Sequence, residues 1–95
     1  MTIAAVWHFE GGTPEQYEKV FAIGGHAIND QPERLSHVCY ITPTGIDVVD
    51  IWTGEAAFAA FGAIIGPATV HAGLTSPPVI HPVQGFMGHD GVRNP

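Results

Sequence analysis

Ile46-Asp47-Val48-Val49-Asp50-Ile51-Trp52-Thr53-Gly54-Glu55-Ala56-Ala57-Phe58 runs from a strand directly into a helix, and the rest of the chain is arranged around it. Residues 46–53 are rich in β-branched and aromatic side chains that favour extended backbone. Alternation puts Ile46, Val48, Asp50 and Trp52 on one side and Asp47, Val49, Ile51 and Thr53 on the other. Thr53 then suits a helix cap, and Glu55, Phe58, Phe61 and Ile65 follow at helical spacing. An acid two residues from a tryptophan on an otherwise apolar face is the anomaly of the sequence.

Working outward, Thr42-Pro43-Thr44-Gly45 reads as a tight turn joining this strand to a preceding one over Leu35 to Ile41. His26 to Arg34 reads as a loop. Upstream of it, Thr13 can cap a helix with Pro14 at the first helical position and Gln16 completing a capping box. Tyr17, Val20 and Phe21 continue that helix to Gly24-Gly25. Thr2 to Phe9 forms the first strand. Downstream, Gly66-Pro67 breaks the second helix, a short turn runs to Gly73, and Val79 to Phe86 is the last strand. The order is β-α-β-β-α-β, an α+β ferredoxin-like unit with an antiparallel sheet. Residues 1–87 form one domain and residues 88–95 a C-terminal tail.

Such a sheet carries helices on one face and usually shows polar residues on the other. Here neither side of the central strands is polar. Charged residues are only 13% of the 95, and apolar ones 45%, whereas about 25% charge is ordinary. The second sheet face is therefore expected to be covered by the same face of a second copy, giving a homodimer. Three basic residues against nine acidic ones, net −6, argue against nucleic acid and anionic membrane surfaces as partners. The first residues lack a basic segment followed by an apolar one, so no signal peptide is expected. No uninterrupted apolar run approaches the roughly 20 residues of a membrane span. Cys39 has no second cysteine to pair with, consistent with a reducing cytoplasm.

Gly11-Gly12-Thr13-Pro14-Glu15-Gln16-Tyr17, Val48-Val49-Asp50-Ile51-Trp52, Glu55-Ala56-Ala57-Phe58, and Gly66-Pro67 with Ala72-Gly73-Leu74 resemble small bacterial proteins of the dimeric α/β-barrel superfamily, which includes the antibiotic-biosynthesis monooxygenase-like proteins. The resemblance extends to about Met87. It implies a fold and a dimer, and it spans several activities: cofactor-free monooxygenases, isomerases, polyketide cyclases, lyases and haem-degrading enzymes. The haem-degrading members share a W-x8-W-x9-H spacing, at which Trp52, Phe61 and His71 stand here. Phe61 replaces one of those tryptophans, and the first strand lacks their asparagine.

Six histidines are many for this length, yet none pair at i, i+4. A metal would need ligands gathered from several strands, such as His8, His37 and His81. Asp50, among apolar neighbours on a strand covered on both faces, must find donors or take up a proton. Its cross-strand partner depends on the turn. A type I turn with Gly45 in a left-handed bulge pairs Thr42 with Ile46 and Val38 with Asp50, which puts Tyr40, Val48, Asp50 and Trp52 on one face and His37 on the other. A symmetric loop instead sets His37 against Asp50 as an acid-base dyad. The bulged turn is the one expected.

Three functions fit these residues. The first is a cofactor-free monooxygenase, isomerase or cyclase acting on an apolar or aromatic molecule. His71 or His37 would be its acid-base and Asp50 the orienting group, with Trp52, Phe61, Trp7, Tyr40 and Phe58 as pocket walls. The second is a haem protein with His71 as axial ligand. The third is a dimeric ligand-binding module without chemistry.

Overall fold

The computed structural model describes residues 1–88 and 90–94. Its elements are β1 (Ile3–Glu10), α1 (Pro14–Gly24), α2 (His26–Asn29), β2 (Arg34–Ile41), β3 (Gly45–Trp52), α3 (Glu55–Ala72), β4 (Val79–Pro82), β5 (Phe86–Met87) and β6 (Arg93–Asn94). The first four strands by position form one antiparallel sheet in the order β2-β3-β1-β4, with α1 and α3 on one face. This is the expected α+β ferredoxin-like arrangement. The core lies between sheet and helices, built on Ile3, Phe9, Val20, Ile46, Trp52 and Phe61. In the C-terminal segment β5 pairs with β6, while His89 and Pro95 lie outside the described residues.

The start of α1 follows the sequence closely. Thr13 accepts from the Gln16 backbone N–H at 3.2 Å, and the Gln16 side chain accepts from the Thr13 backbone N–H at 2.9 Å. Gln16 also donates to the carbonyl of Ala72 at 3.1 Å. The start of one helix is thereby tied to the end of the other.

Four local expectations are corrected. The stretch after Gly25 holds a short helix, α2, whose buried Ile28 joins the core. Gly54, not Thr53, is the cap of α3; the Thr53 hydroxyl donates instead to the Glu33 carboxylate. Gly66-Pro67 does not break α3, which continues for 18 residues to Ala72. A glycine before proline has no Cβ to meet the ring, and the buried stripe of Phe61, Ala68 and Ala72 holds both halves of the helix on one face. The helix then stops at Gly73, in left-handed backbone at φ 84°, with the Leu74 N–H donating back to Thr69. By length and composition α3 would also suffice to cross a membrane, at a mean hydropathy of 1.2; its Phe61, Ala68 and Ala72 are buried in the core. The last strand ends at Pro82, four residues earlier than expected.

The largest correction concerns the hairpin. Ile41 pairs with Ile46, Val38 with Val49 and His37 with Asp50. The adopted bulge is overturned and the symmetric loop is the one present. Gly45 is not left-handed. The Thr42 hydroxyl accepts from the N–H groups of Thr44 and Gly45, at 3.3 and 3.0 Å, and so closes the turn. Gly45 has a different task. A Cβ there would lie 2.0 Å from the carbonyl oxygen of Phe9, and Gly11 donates to the neighbouring Thr44 carbonyl at 2.7 Å. Glycine is required because the end of β1 presses on the turn.

Candidate active site

The register places two ionisable side chains against each other beneath α1. His37 Nδ1 lies 2.5 Å from Asp50 Oδ1, and His37 Nε2 lies 2.6 Å from the Tyr17 hydroxyl. Asp50 is only 2% exposed, and its second oxygen accepts from the Trp52 indole N–H at 3.2 Å. A carboxylate so placed is an acceptor, so His37 Nδ1 carries the proton and Nε2 presents its lone pair to Tyr17. Tyr17 therefore donates to His37. Burial pushes the Tyr17 hydroxyl up to about 12, which keeps it protonated in that role. The rings of Tyr17 and His37 lie nearly parallel, 12° apart, and Phe21 packs edge-on to both.

Tyr17, His37 and Asp50 border a cavity of about 340 Å³ between the helices and the sheet. Trp7, Phe9, Val48, Phe58, Phe61 and Ile65 supply much of its apolar lining. That volume is at the small end of the usual range for small-molecule sites, about 300–1,000 Å³. An imidazole with a basic nitrogen, oriented by a buried carboxylate at the edge of an apolar cavity, can abstract a proton from a weakly acidic bound molecule.

Of the residues expected from the sequence, His37, Asp50, Trp7, Phe58 and Phe61 meet at this cavity. Trp52 stands behind it. The indole is 0% exposed, packs on Phe61 with ring centroids 4.8 Å apart, and reaches the cavity only through its bond to Asp50. Tyr40 falls on the opposite sheet face, a consequence of the corrected register. There it donates to Asp47 at 2.9 Å, and Asp47 also binds His8 at 2.5 Å. The His8 partnership holds the Asp47 carboxyl below its ordinary range, and Asp47 in turn raises His8. His71 is exposed and is not among the cavity-lining residues.

Tyr17 and Arg34, which the sequence did not single out as site residues, also line the cavity. Tyr17 reads as one more member of the apolar stripe of α1, although a hydroxyl on such a stripe is itself a signal. Arg34 reads as a loop residue, but it begins β2 and faces the cavity.

The same geometry bears on metal and haem. His37 faces the helices, whereas the register puts His8 opposite Asp47 and His81 opposite Ala4 on the other side of the sheet. That trio is not brought together. Trp52 and Phe61 pack against each other in the core and His71 points elsewhere, so these residues do not fit a haem with His71 as its axial ligand.

No protein-family model matches the chain, and no curated protein sequence matches it either. Two solved structures do match. Both are of SnoaB, a cofactor-independent oxygenase from Streptomyces nogalater. The structure of a single-substitution variant aligns with a TM-score of 0.61 and 21% identity, over 87% of this chain and 91% of that one. The other, determined to 1.9 Å, aligns with a TM-score of 0.59 and 19% identity, over 87% and 90%. The chain has the SnoaB fold. The likeness extends over nearly the whole of both chains, in keeping with the α+β, ferredoxin-like order of the sheet.

Proposed function

We propose that this protein is a cofactor-independent enzyme that removes a proton from a small apolar or aromatic molecule, with His37 as the general base. The observation that carries this reading is the hydrogen-bonded chain of Tyr17, His37, Asp50 and Trp52 opening on an apolar cavity. On substrate binding the Tyr17 hydroxyl turns from His37 Nε2 to the developing oxyanion, the freed Nε2 takes the proton from a carbon acid or enol, and Asp50 stabilises the imidazolium. Oxygenation is the favoured continuation, because SnoaB is a cofactor-independent oxygenase. A resonance-stabilised carbanion can reduce molecular oxygen without flavin or metal. An activated CH2 group and O2 then give C=O and water.

Proton abstraction and oxygen chemistry are read separately. With 2-tetralone, an enolisable two-ring ketone, the protein is expected to accelerate exchange of the α-hydrogens for deuterium under nitrogen, and to consume oxygen in air. His37→Ala should slow exchange by about a hundred-fold or more. Exchange at the wild-type rate in a folded His37→Ala protein would remove His37 from the mechanism. Exchange without oxygen uptake would leave the base in place and favour the isomerase or cyclase chemistry.

The enzyme is further proposed to act as a homodimer joined through the open sheet face. Supporting this, Val38 (49% exposed), Tyr40 (47%) and Val79 (57%) share that face with Val49 and Ile51. Sedimentation at micromolar concentration should give twice the chain mass, and a monomer mass would count against the dimer.

A further inference from the structure

The cavity holds one permanent cation, and the way the chain delivers it is unusual. Between Arg34 and Ser36 the β2–β3 pairing slips by one residue, so that Arg34 sits opposite Trp52 while Ser36 sits opposite Ile51. Without that bulge Leu35 would occupy the cavity face and Arg34 the open face of the sheet. The bulge thus places a guanidinium where the alternation calls for an apolar side chain. Its central carbon lies 5.4 Å from the Phe61 ring and 5.9 Å from the Trp52 ring, within cation–π range of both.

Only one end of this guanidinium is occupied. Nη2 donates to the carbonyls of Ile28 at 3.0 Å and Asn29 at 3.4 Å. Among the described residues no carboxylate approaches it within 4 Å, in a chain with nine acids and three bases. Asp50 borders the same cavity, but each of its oxygens already accepts a hydrogen bond. A half-buried guanidinium facing an apolar cavity with donors to spare is a receptor for an anion.

We infer that Arg34 is the anion-recognising residue of this cavity, and that the ligand is a planar, roughly two-ring molecule carrying a carboxylate. The inference rests on the cavity being the substrate site. Its charge class follows from the division of labour: the proton that His37 takes is the one at the reacting carbon or enol, so the group bound at Arg34 must already be ionised in water. A carboxylate satisfies that and matches the donor fork of the guanidinium. Its size follows from the volume. A cavity of about 150 Å³ accommodates benzene, and this one is about 340 Å³. The carboxylate would anchor at Arg34 and turn the far part of the rings toward His37.

Titration of 2-naphthoate and of 2-naphthamide, followed by calorimetry and by quenching of Trp7 fluorescence, tests this without any turnover. The wild-type protein is expected to bind the acid at least about tenfold more tightly than the amide. Arg34→Gln should bring the two within about twofold by weakening the acid alone, and Arg34→Lys should keep part of the preference. Because Arg34 also holds α2, melting curves accompany both variants. Should Arg34→Gln not fold, Arg34→Lys and the wild-type comparison decide. Equal binding of acid and amide by the wild type, or an undiminished preference in folded Arg34→Gln, would overturn the inference and leave the cavity reading standing. Binding of neither ligand would overturn both.

Discussion

Asp50→Asn is expected to slow α-proton exchange by about a hundred- to ten-thousand-fold while leaving the fold in place. The reason is the tautomer. Asparagine can still accept from the Trp52 indole through its carbonyl oxygen, replacing the bond now at 3.2 Å. Its NH2 group then faces His37 Nδ1, where a carboxylate oxygen now accepts at 2.5 Å. A donor in that place forces the imidazole proton onto Nε2, and the lone pair that now accepts from Tyr17 and would serve as the base is lost. Circular dichroism should therefore be unchanged and exchange suppressed. The double variant with His37→Ala should be little slower than either single one, since the residues act as a unit. A folded Asp50→Asn protein with wild-type exchange would sink the tautomer argument.

Trp52→Ala is expected to cost about 3–5 kcal/mol of stability, a large part of the roughly 5–15 kcal/mol available to a domain. Trp52 is fully buried, packs at a tilt against Phe61, and packs edge-on to Phe58 at 5.9 Å. Its removal opens the centre of the core and leaves one buried oxygen of Asp50 without a donor. Trp52→Phe keeps most of the volume and loses the indole N–H, so it should cost less and loosen Asp50 more selectively. Urea denaturation of the three proteins checks the ranking. A Trp52→Ala protein as stable as wild type, with only its ligand preference altered, would mean that this ring is a cavity wall after all.

Both predictions concern residues visible in the sequence, and they show how far such reading extends. Asp50 is recognisable as an anomaly because a carboxylate between Val49 and Ile51 on a covered strand needs donors whatever the topology. Trp52 is recognisable as important, but wall and core have the same local signature. Tyr17 is hidden because aromatic rings at helical spacing read as packing, and only the approach of α1 to β2 gives its hydroxyl a partner. His71 stands out because of its spacing from Trp52 and Phe61. Its expected place over the sheet end presumes a short turn after Gly66-Pro67, and the intact helix carries His71 to the exposed side instead.

Local chemistry in the chain is enough for the order of the four sheet strands and two long helices, the capped start of α1, the apolar spacing that begins α3 and the two-sided apolar sheet. Each follows from propensity and periodicity within a few residues. The pairing of His37 with Asp50 and the entry of Arg34 into the cavity were decided only in three dimensions. Each depends on a one-residue register, and a one-residue shift reverses every side chain on a strand. At the hairpin the deciding contact comes from β1: Phe9 leaves no room for a side chain at Gly45, and the Thr42 hydroxyl closes the turn without a left-handed residue. At the other end of β2 the bulge at Leu35 turns Arg34 inward. Asp50 and Trp52 are read from Ile46 to Phe58 itself; their partners come from strands and helices distant in sequence.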